Sequence, residues 1–283
     1  MCMDENKNIK TTEKKRKKKK RGFLSTFLLL IFLCSLSACI YLIYCEVNKE
    51  VGIHDMENKI QSFVSQPEPS ATKKPGKKRD KSSYTFDWEG LKKQSRYVIG
   101  WIQIPGIERI NYPIVQSDDN QFFLTHDWTG AYQTAGAIFM NKYNAKDFSD
   151  MNSIIYGHRM KAGSMFGLLK YYESQQFMDE NPNFYIYTPE GRRLSYEIIC
   201  CSHVKDGSDA YMQHFESPDE RMDYYNLMIK KAVAKRNTDL DRFDTTVMLS
   251  TCNSAAGYYE RTVVLGRLTA IDLNSHPEKS NKK

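Results

Sequence analysis

Apolar residues are distributed in four regimes along this chain. Residues 23–44 form an almost purely apolar run of 22, long enough to cross a hydrocarbon layer of roughly 30 Å as a helix. Residues 46–64 show weaker helical periodicity, with Val47, Val51, Met56, Ile60 and Phe63 three to five positions apart. Residues 66–83 then collect Pro, Ser, Lys and Gly with few apolar side chains, the composition of a solvated linker. From residue 84 the pattern changes to short β-like runs, at 98–104, 114–116, 137–141, 153–156, 183–188, 194–202, 245–251 and 261–268. Turn residues separate them, among them Pro105-Gly106, Asn144 and Pro189-Glu190-Gly191. About eight strands over some 190 residues predict a mainly β domain, a closed barrel or a sandwich.

One strong helical pattern interrupts the series. Ser217-Pro218-Asp219-Glu220 is a capping box with proline at the first helical position. Met222, Tyr225, Ile229, Ala232 and Val233 follow at helical spacing, predicting a helix over about 217–236. Shorter helices are expected at 88–97 and 165–172.

Charge sharpens the division into segments. The formal net charge is +7, and residues 1–21 account for all of it with ten Lys/Arg against three Asp/Glu. Residues 22–45 hold no charged side chain, and the rest of the chain is balanced, so the basicity does not point to nucleic acid. A basic flank before an apolar run stays cytoplasmic, which predicts a single-pass cell-membrane anchor with the folded domain outside. Leu36-Ser37-Ala38-Cys39 also reads like a lipoprotein cleavage box, but the apolar run continues to Tyr44, which favours an uncleaved anchor. The expected organisation is a cytoplasmic tail at 1–21, an anchor at 22–45, an extracellular helix and linker at 46–83, a catalytic domain at 84–273 and a polar tail at 274–283.

Of seven cysteines, only Cys200, Cys201 and Cys252 fall in the β-rich region. Adjacent Cys200 and Cys201 make no disulfide framework and read as packing residues on a strand. Cys252 is then an unpaired extracellular thiol that closes the run Val247-Met248-Leu249-Ser250-Thr251. Another run, Ser153-Ile154-Ile155-Tyr156, delivers Gly157-His158, and Arg261 opens the run Thr262-Val263-Val264-Leu265. Thiol, imidazole and guanidinium at strand ends can supply a nucleophile, a proton carrier and an oxyanion clamp. With a reference thiol near 8.5 and imidazole near 6.5, only about 1% of singly protonated pairs would be thiolate–imidazolium. A neighbouring cation raises that fraction, and a permanently charged arginine fork suits the role better than lysine. No metal-ligand spacing joins His203 or His214 to carboxylates or cysteines, and no cofactor is expected.

These residues resemble those of the sortases, most closely the class B sortases of Gram-positive bacteria. Gly100-Trp101-Ile102-Gln103-Ile104-Pro105-Gly106 is similar to that family's first barrel strand and turn. Tyr112-Pro113-Ile114-Val115-Gln116 and Leu124-Thr125-His126-Asp127 follow in the family's order. Ile155-Tyr156-Gly157-His158-Arg159-Met160 resembles the catalytic-histidine segment, Leu249-Ser250-Thr251-Cys252 the catalytic-cysteine segment, and Arg261 falls at the catalytic arginine. The likeness runs in order over about 87–270, and the helix ahead of the cysteine strand is the class B feature.

The resemblance implies an eight-stranded sortase barrel with peripheral helices. It also implies a thiol transpeptidase that cleaves a surface protein's C-terminal sorting signal after its Thr, through a thioester. The acyl group then passes to an amine of a peptidoglycan precursor or of a pilin. It makes Cys252 the nucleophile, His158 the acid/base and Arg261 the clamp, with Ser250 and the backbone N–H of Asn253 lining the site. Two positions depart from the pattern: Met248 replaces a family Thr, and eight residues separate Cys252 from Arg261. Strand alternation puts 248, 250 and 252 on one face, so a bulky Met248 is expected to reshape the pocket's edge. His126 reads as a structural corner. Two other classes compete: a different cell-wall cysteine enzyme, and an anchored sortase-like binding domain without catalysis. Asn253-Ser254-Ala255 after the cysteine disfavours L,D-transpeptidases, and the order His before Cys disfavours papain-like peptidases.

Overall fold

The computed structural model describes residues 5–65, 84–252 and 260–273. The expected linker at 66–83, the tail at 274–283 and Asn253 lie outside these residues. Two compact units are present, residues 1–54 and 55–283. The first is helical: it holds most of α1 (Glu5–Gln61), whose stretch from Ser25 is long and apolar enough to cross a membrane.

In the second unit, a short ladder pairs β1 (Val64–Ser65) with β2 (Thr85–Phe86) ahead of α2 (Trp88–Gln94). The barrel strands are β3 (Val98–Gln103), β4 (Asn111–Val115), β5 (Ile138–Met140), β6 (Asn152–Tyr156), β7 (Asn183–Tyr187), β8 (Arg192–Lys205), β10 (Thr246–Cys252) and β11 (Glu260–Leu273). Their order is β11-β10-β6-β5-β4-β3-β7-β8, and β8 pairs back onto β11. That last pairing decides between the two architectures, because the strands of a sandwich stay in two separate sheets whereas here β8 and β11 close one sheet on itself. The eight-stranded barrel implied by the resemblance is the fold observed. Only β4–β5 and β6–β10 are parallel pairs.

Continuous burial along the strands explains their compositions. All six residues of β3 are buried, which requires cover on both faces. One face fills the barrel; on the other, Phe86 packs against Trp101 and Tyr187 with ring centroids 5.3 and 4.7 Å away. Trp101 Nε1 donates to Asn111 Oδ1 at 2.6 Å, so this fully buried ring leaves no orphan donor.

α4 (Pro218–Lys230) shows how the cap was written in sequence. Ser217 Oγ accepts from the Glu220 N–H at 3.1 Å, while the Glu220 carboxylate reaches back to the Glu216 N–H. Its buried Tyr224, Tyr225 and Met228 cover Ile154, Cys200, Val204, Met248, Val263 and Leu265. Burial of Cys200 and Cys201 fits the reading of both as packing residues. Met248 is fully buried in this cluster, so it does not shape the pocket edge as its size and alternation predicted.

Three helix boundaries differ from expectation. α4 stops at Lys230 rather than 236, and Ala232–Lys235 form β9, paired with Cys200–Ser202 of β8. β8 outruns β7 there and its free backbone groups need a partner. Ser202 Oγ also donates to the Met228 carbonyl at 2.8 Å and so satisfies one orphan of the helix end. α2 ends at Gln94 instead of 97, because Ser95 turns extended and donates to the Trp128 carbonyl at 2.6 Å. No α-helix forms at 165–172: Met165 adopts φ 53°, and only a 3₁₀ turn, Leu169–Glu173, follows before α3 (Gln175–Glu180).

Candidate active site

Three strand ends meet at one rim. β6 runs parallel to β10, with Tyr156 in register with Ser250, and the Gly157 N–H donates to the Ser250 carbonyl at 3.1 Å. β11 returns antiparallel beside β10, and its Arg261 is directly opposite Cys252. The topology therefore brings 158 together with 252 and 261, about a hundred residues later in the chain. A groove of about 230 Å³ opens at this rim, lined by Leu124, Tyr156, His158, Asp206, Ser250 and Arg261 among others.

His158 is held by backbone. One ring nitrogen, Nε2, lies 2.8 Å from the Leu124 carbonyl oxygen, which can only accept, so Nε2 carries a proton and Nδ1 is the nitrogen left to exchange one. Gly136 closes the other side: its φ is +63°, and a Cβ there would stand 3.1 Å from His158 Cδ2 and 2.3 Å from the Phe123 carbonyl oxygen. After His158 the chain folds back on itself, the Phe166 N–H donating to the His158 carbonyl at 3.0 Å. Met165, in the left-handed region, is fixed by its N–H donating to Tyr112 Oη at 3.2 Å, and that hydroxyl in turn donates to Glu57 at 2.5 Å. Burial, aided by the Glu57 charge, pushes the Tyr112 hydroxyl far above its ordinary range, so it stays a donor.

Tyr156, which lines the groove, has an aromatic partner. Tyr156 and Tyr211 stack at 6.2 Å with planes 10° apart, and the Tyr211 and Ser250 hydroxyls are 2.8 Å apart. Burial raises both tyrosine hydroxyls; Asn141 lowers Tyr156 and Ser250 lowers Tyr211, each by a hydrogen bond. Arg261 Nη2 donates to Asp206 Oδ2 at 2.8 Å. Of the residues expected at the site, His158, Ser250 and Arg261 share the groove, Cys252 is placed by strand register, and Asn253 lies outside the described residues. His126 is a corner: it stacks on Phe122 at 4.2 Å and its Nδ1 meets the Phe122 carbonyl at 2.8 Å.

Sequence reading did not find Asp206, Tyr156, Tyr211 or Leu124. Asp206 and Tyr211 belong to the turn after β8, and Asp206-Gly207 was the one local signal that a charged side chain would be left at a strand tip.

A family model described as the sortase domain matches residues 102–269, over half of the 283-residue chain. The chain belongs to the sortase family. Sortase B of Listeria monocytogenes is 30% identical over 223 residues, which cover 77% of this sortase and 89% of that protein. Among solved structures, sortase B of Bacillus anthracis in complex with AAEK1 superposes with a TM-score of 0.63 at 26% identity, covering 80% of this chain and 99% of that one. A Staphylococcus aureus sortase B–substrate complex shares the fold with a TM-score of 0.60 at 24% identity, covering 64% and 84%. These relatives place the sortase in class B, a class of cysteine transpeptidases.

Proposed function

We propose that this sortase is a membrane-anchored transpeptidase in which Cys252, His158 and Arg261 carry the reaction. The Cys252 thiolate adds to the carbonyl carbon of the sorting motif's Thr, and Arg261 donates hydrogen bonds to the resulting oxyanion. As the intermediate collapses, the bond from the Thr carbonyl carbon to the next residue's nitrogen breaks, and His158 gives that amine its proton. A thioester remains. An acceptor amine then attacks, loses a proton to His158 and displaces the thiolate as the new amide forms.

The convergence of the ends of β6, β10 and β11 on one groove supports this reading most directly. Surface proteins with a C-terminal sorting signal fit as acyl donors, and a peptidoglycan precursor or a pilin amine fits as acceptor. The apolar side chains of 27–33 are half exposed on α1, as lipid-facing residues are, and the basic tail before them fits a cytoplasmic N-terminus with residues 84–273 as the extracellular catalytic domain.

The test uses peptides of the NPxT, LPxTG and SPxTG types, incubated with and without triglycine and followed by mass spectrometry. A Cys252-dependent thioester that triglycine converts to an amide is the expected result. Cys252→Ala should abolish transfer, His158→Ala nearly so, and Arg261→Ala should cost at least about 100-fold. Full activity of Cys252→Ala would rule the mechanism out, and an inert Cys252 thiol with no peptide cleaved would favour a binding domain.

A further inference from the structure

The chemistry above uses Arg261 but leaves its carboxylate partner without a task. Asp206 Oδ2 accepts from Arg261 Nη2 at 2.8 Å, with side-chain exposures of 48% and 26%. The contact is made at the end of the β8–β11 ladder, where Arg261 is in register with Val204 and Glu260 with Lys205, so Asp206 is the first residue past the strand. A tight turn keeps it there: the Ser208 N–H donates to the Lys205 carbonyl at 3.2 Å and Gly207 takes φ +66°. The same turn continues to Tyr211, which bonds Ser250 and stacks on Tyr156. Asp206 raises and Arg261 lowers the proton affinity of both tyrosines, smaller effects than that of burial, so both charges lie near the stacked rings.

We propose that Asp206 is the positioning residue for Arg261: by holding one terminal nitrogen of the guanidinium, it confines the fork so that other donors meet the oxyanion at Cys252. The inference rests on the assignment of Arg261 as the clamp. An arginine reaching a transient charge from a strand end gains rate only while its fork is aligned, and a fixed acceptor on one nitrogen supplies that alignment. Asp206 is no help to the thiolate, because its negative charge opposes the pull of Arg261 on the Cys252 proton. Orientation and field therefore act with opposite signs, and that opposition makes the two separable by experiment.

The measurement takes the full chain in detergent micelles with whichever sorting-motif peptide the parent cleaves, and triglycine as acceptor. Asp206→Ala should lower kcat about tenfold with KM changed by less than about twofold. Asp206→Glu should recover part of the loss and Asp206→Asn should fall between. Iodoacetamide should alkylate Cys252 of Asp206→Asn at least as fast as the parent's while the buried Cys200 and Cys201 stay protected, a combination that damage to the fold would not give. In an Arg261→Ala background, Asp206→Ala should have no further effect. Parental kcat in Asp206→Ala, an increase in kcat, or an equal loss in the Arg261→Ala background would overturn the proposal while leaving the clamp intact. Parental activity of Arg261→Ala itself would overturn the clamp, and Asp206's role with it. Should the alanine variant aggregate, the near-isosteric Asp206→Asn carries the same comparison.

Discussion

Gly136 and Gly207 have almost the same backbone, φ +63° and φ +66°, so alanine at either meets the left-handed penalty of about 1–2 kcal/mol. Their surroundings differ. A Cβ at 207 would find nothing within 4 Å, whereas at 136 it would stand 2.3 Å from the Phe123 carbonyl oxygen and 3.1 Å from that of Leu124. Backbone oxygens cannot rotate away, so residues 123–124 must shift, at a further cost of about 1–3 kcal/mol. At about 2–4 °C per kcal/mol for a domain of this size, Gly136→Ala should lower Tm by about 10 °C and Gly207→Ala by about 4 °C. The Leu124 carbonyl also holds His158 Nε2, so the 136 variant should lose turnover too, by about 10- to 100-fold if the imidazole moves by most of an ångström. Thermal melts followed by circular dichroism, with the transpeptidation assay beside them, measure both. Equal Tm losses would show that the backbone angle alone sets the cost. Parental turnover in a destabilised Gly136→Ala would show that the Leu124 carbonyl does not orient His158.

Stability at high pH should depend on Cys200. Burial raises its thiol from about 9 to about 11, so the unfolded chain ionises first and the folded state's advantage, complete below pH 9, is lost as pH rises to 11. The loss should be on the order of 2 kcal/mol, and Cys200→Ala, though less stable at neutral pH, should show a flatter profile between pH 9 and 11 in urea titrations. A slope unchanged by that substitution would assign the alkaline loss to Cys201, whose thiol burial raises further still, or to buried tyrosines such as Tyr225, which is raised to about 12. Ser217→Ala should cost about 1 kcal/mol through the lost cap of α4, and a urea midpoint equal to the parent's would show that the cap is redundant.

The eight barrel strands were readable because each carries its own apolar run between turn residues, and the cap of α4 because Ser217 and Glu220 act locally. β9 was not. Ala232 and Val233 continue the helical spacing of Met222, Tyr225 and Ile229, and what ends the helix is distant: the open edge of Cys200–Ser202 and the Ser202 hydroxyl on the Met228 carbonyl. Met165 failed for the same kind of reason, since its left-handed backbone is stabilised by a tyrosine more than fifty residues upstream. At the site, His158, Cys252 and Arg261 could be proposed because each abuts a strand pattern. Asp206, Tyr211 and Leu124 stand in turns with no periodicity, and only the closure of β8 onto β11 and the return of 122–124 beneath His158 bring them near.

The closing pair also fixes an order of events. β11 lies between β10 and β8, and it is the last described strand in the chain, ending at Leu273. Until it is inserted the barrel stays open, Arg261 has neither Cys252 opposite nor Asp206 beside it, and α4 lacks Val263 and Leu265 beneath it. The β8–β11 pairing joins residues more than fifty positions apart, and contacts of that separation slow folding. A chain emerging N-terminus first, or one truncated before β11, therefore displays a thiol without its cation. On the proposed mechanism such a chain should cleave no sorting motif, so the strand that closes the barrel is also the one that completes the site.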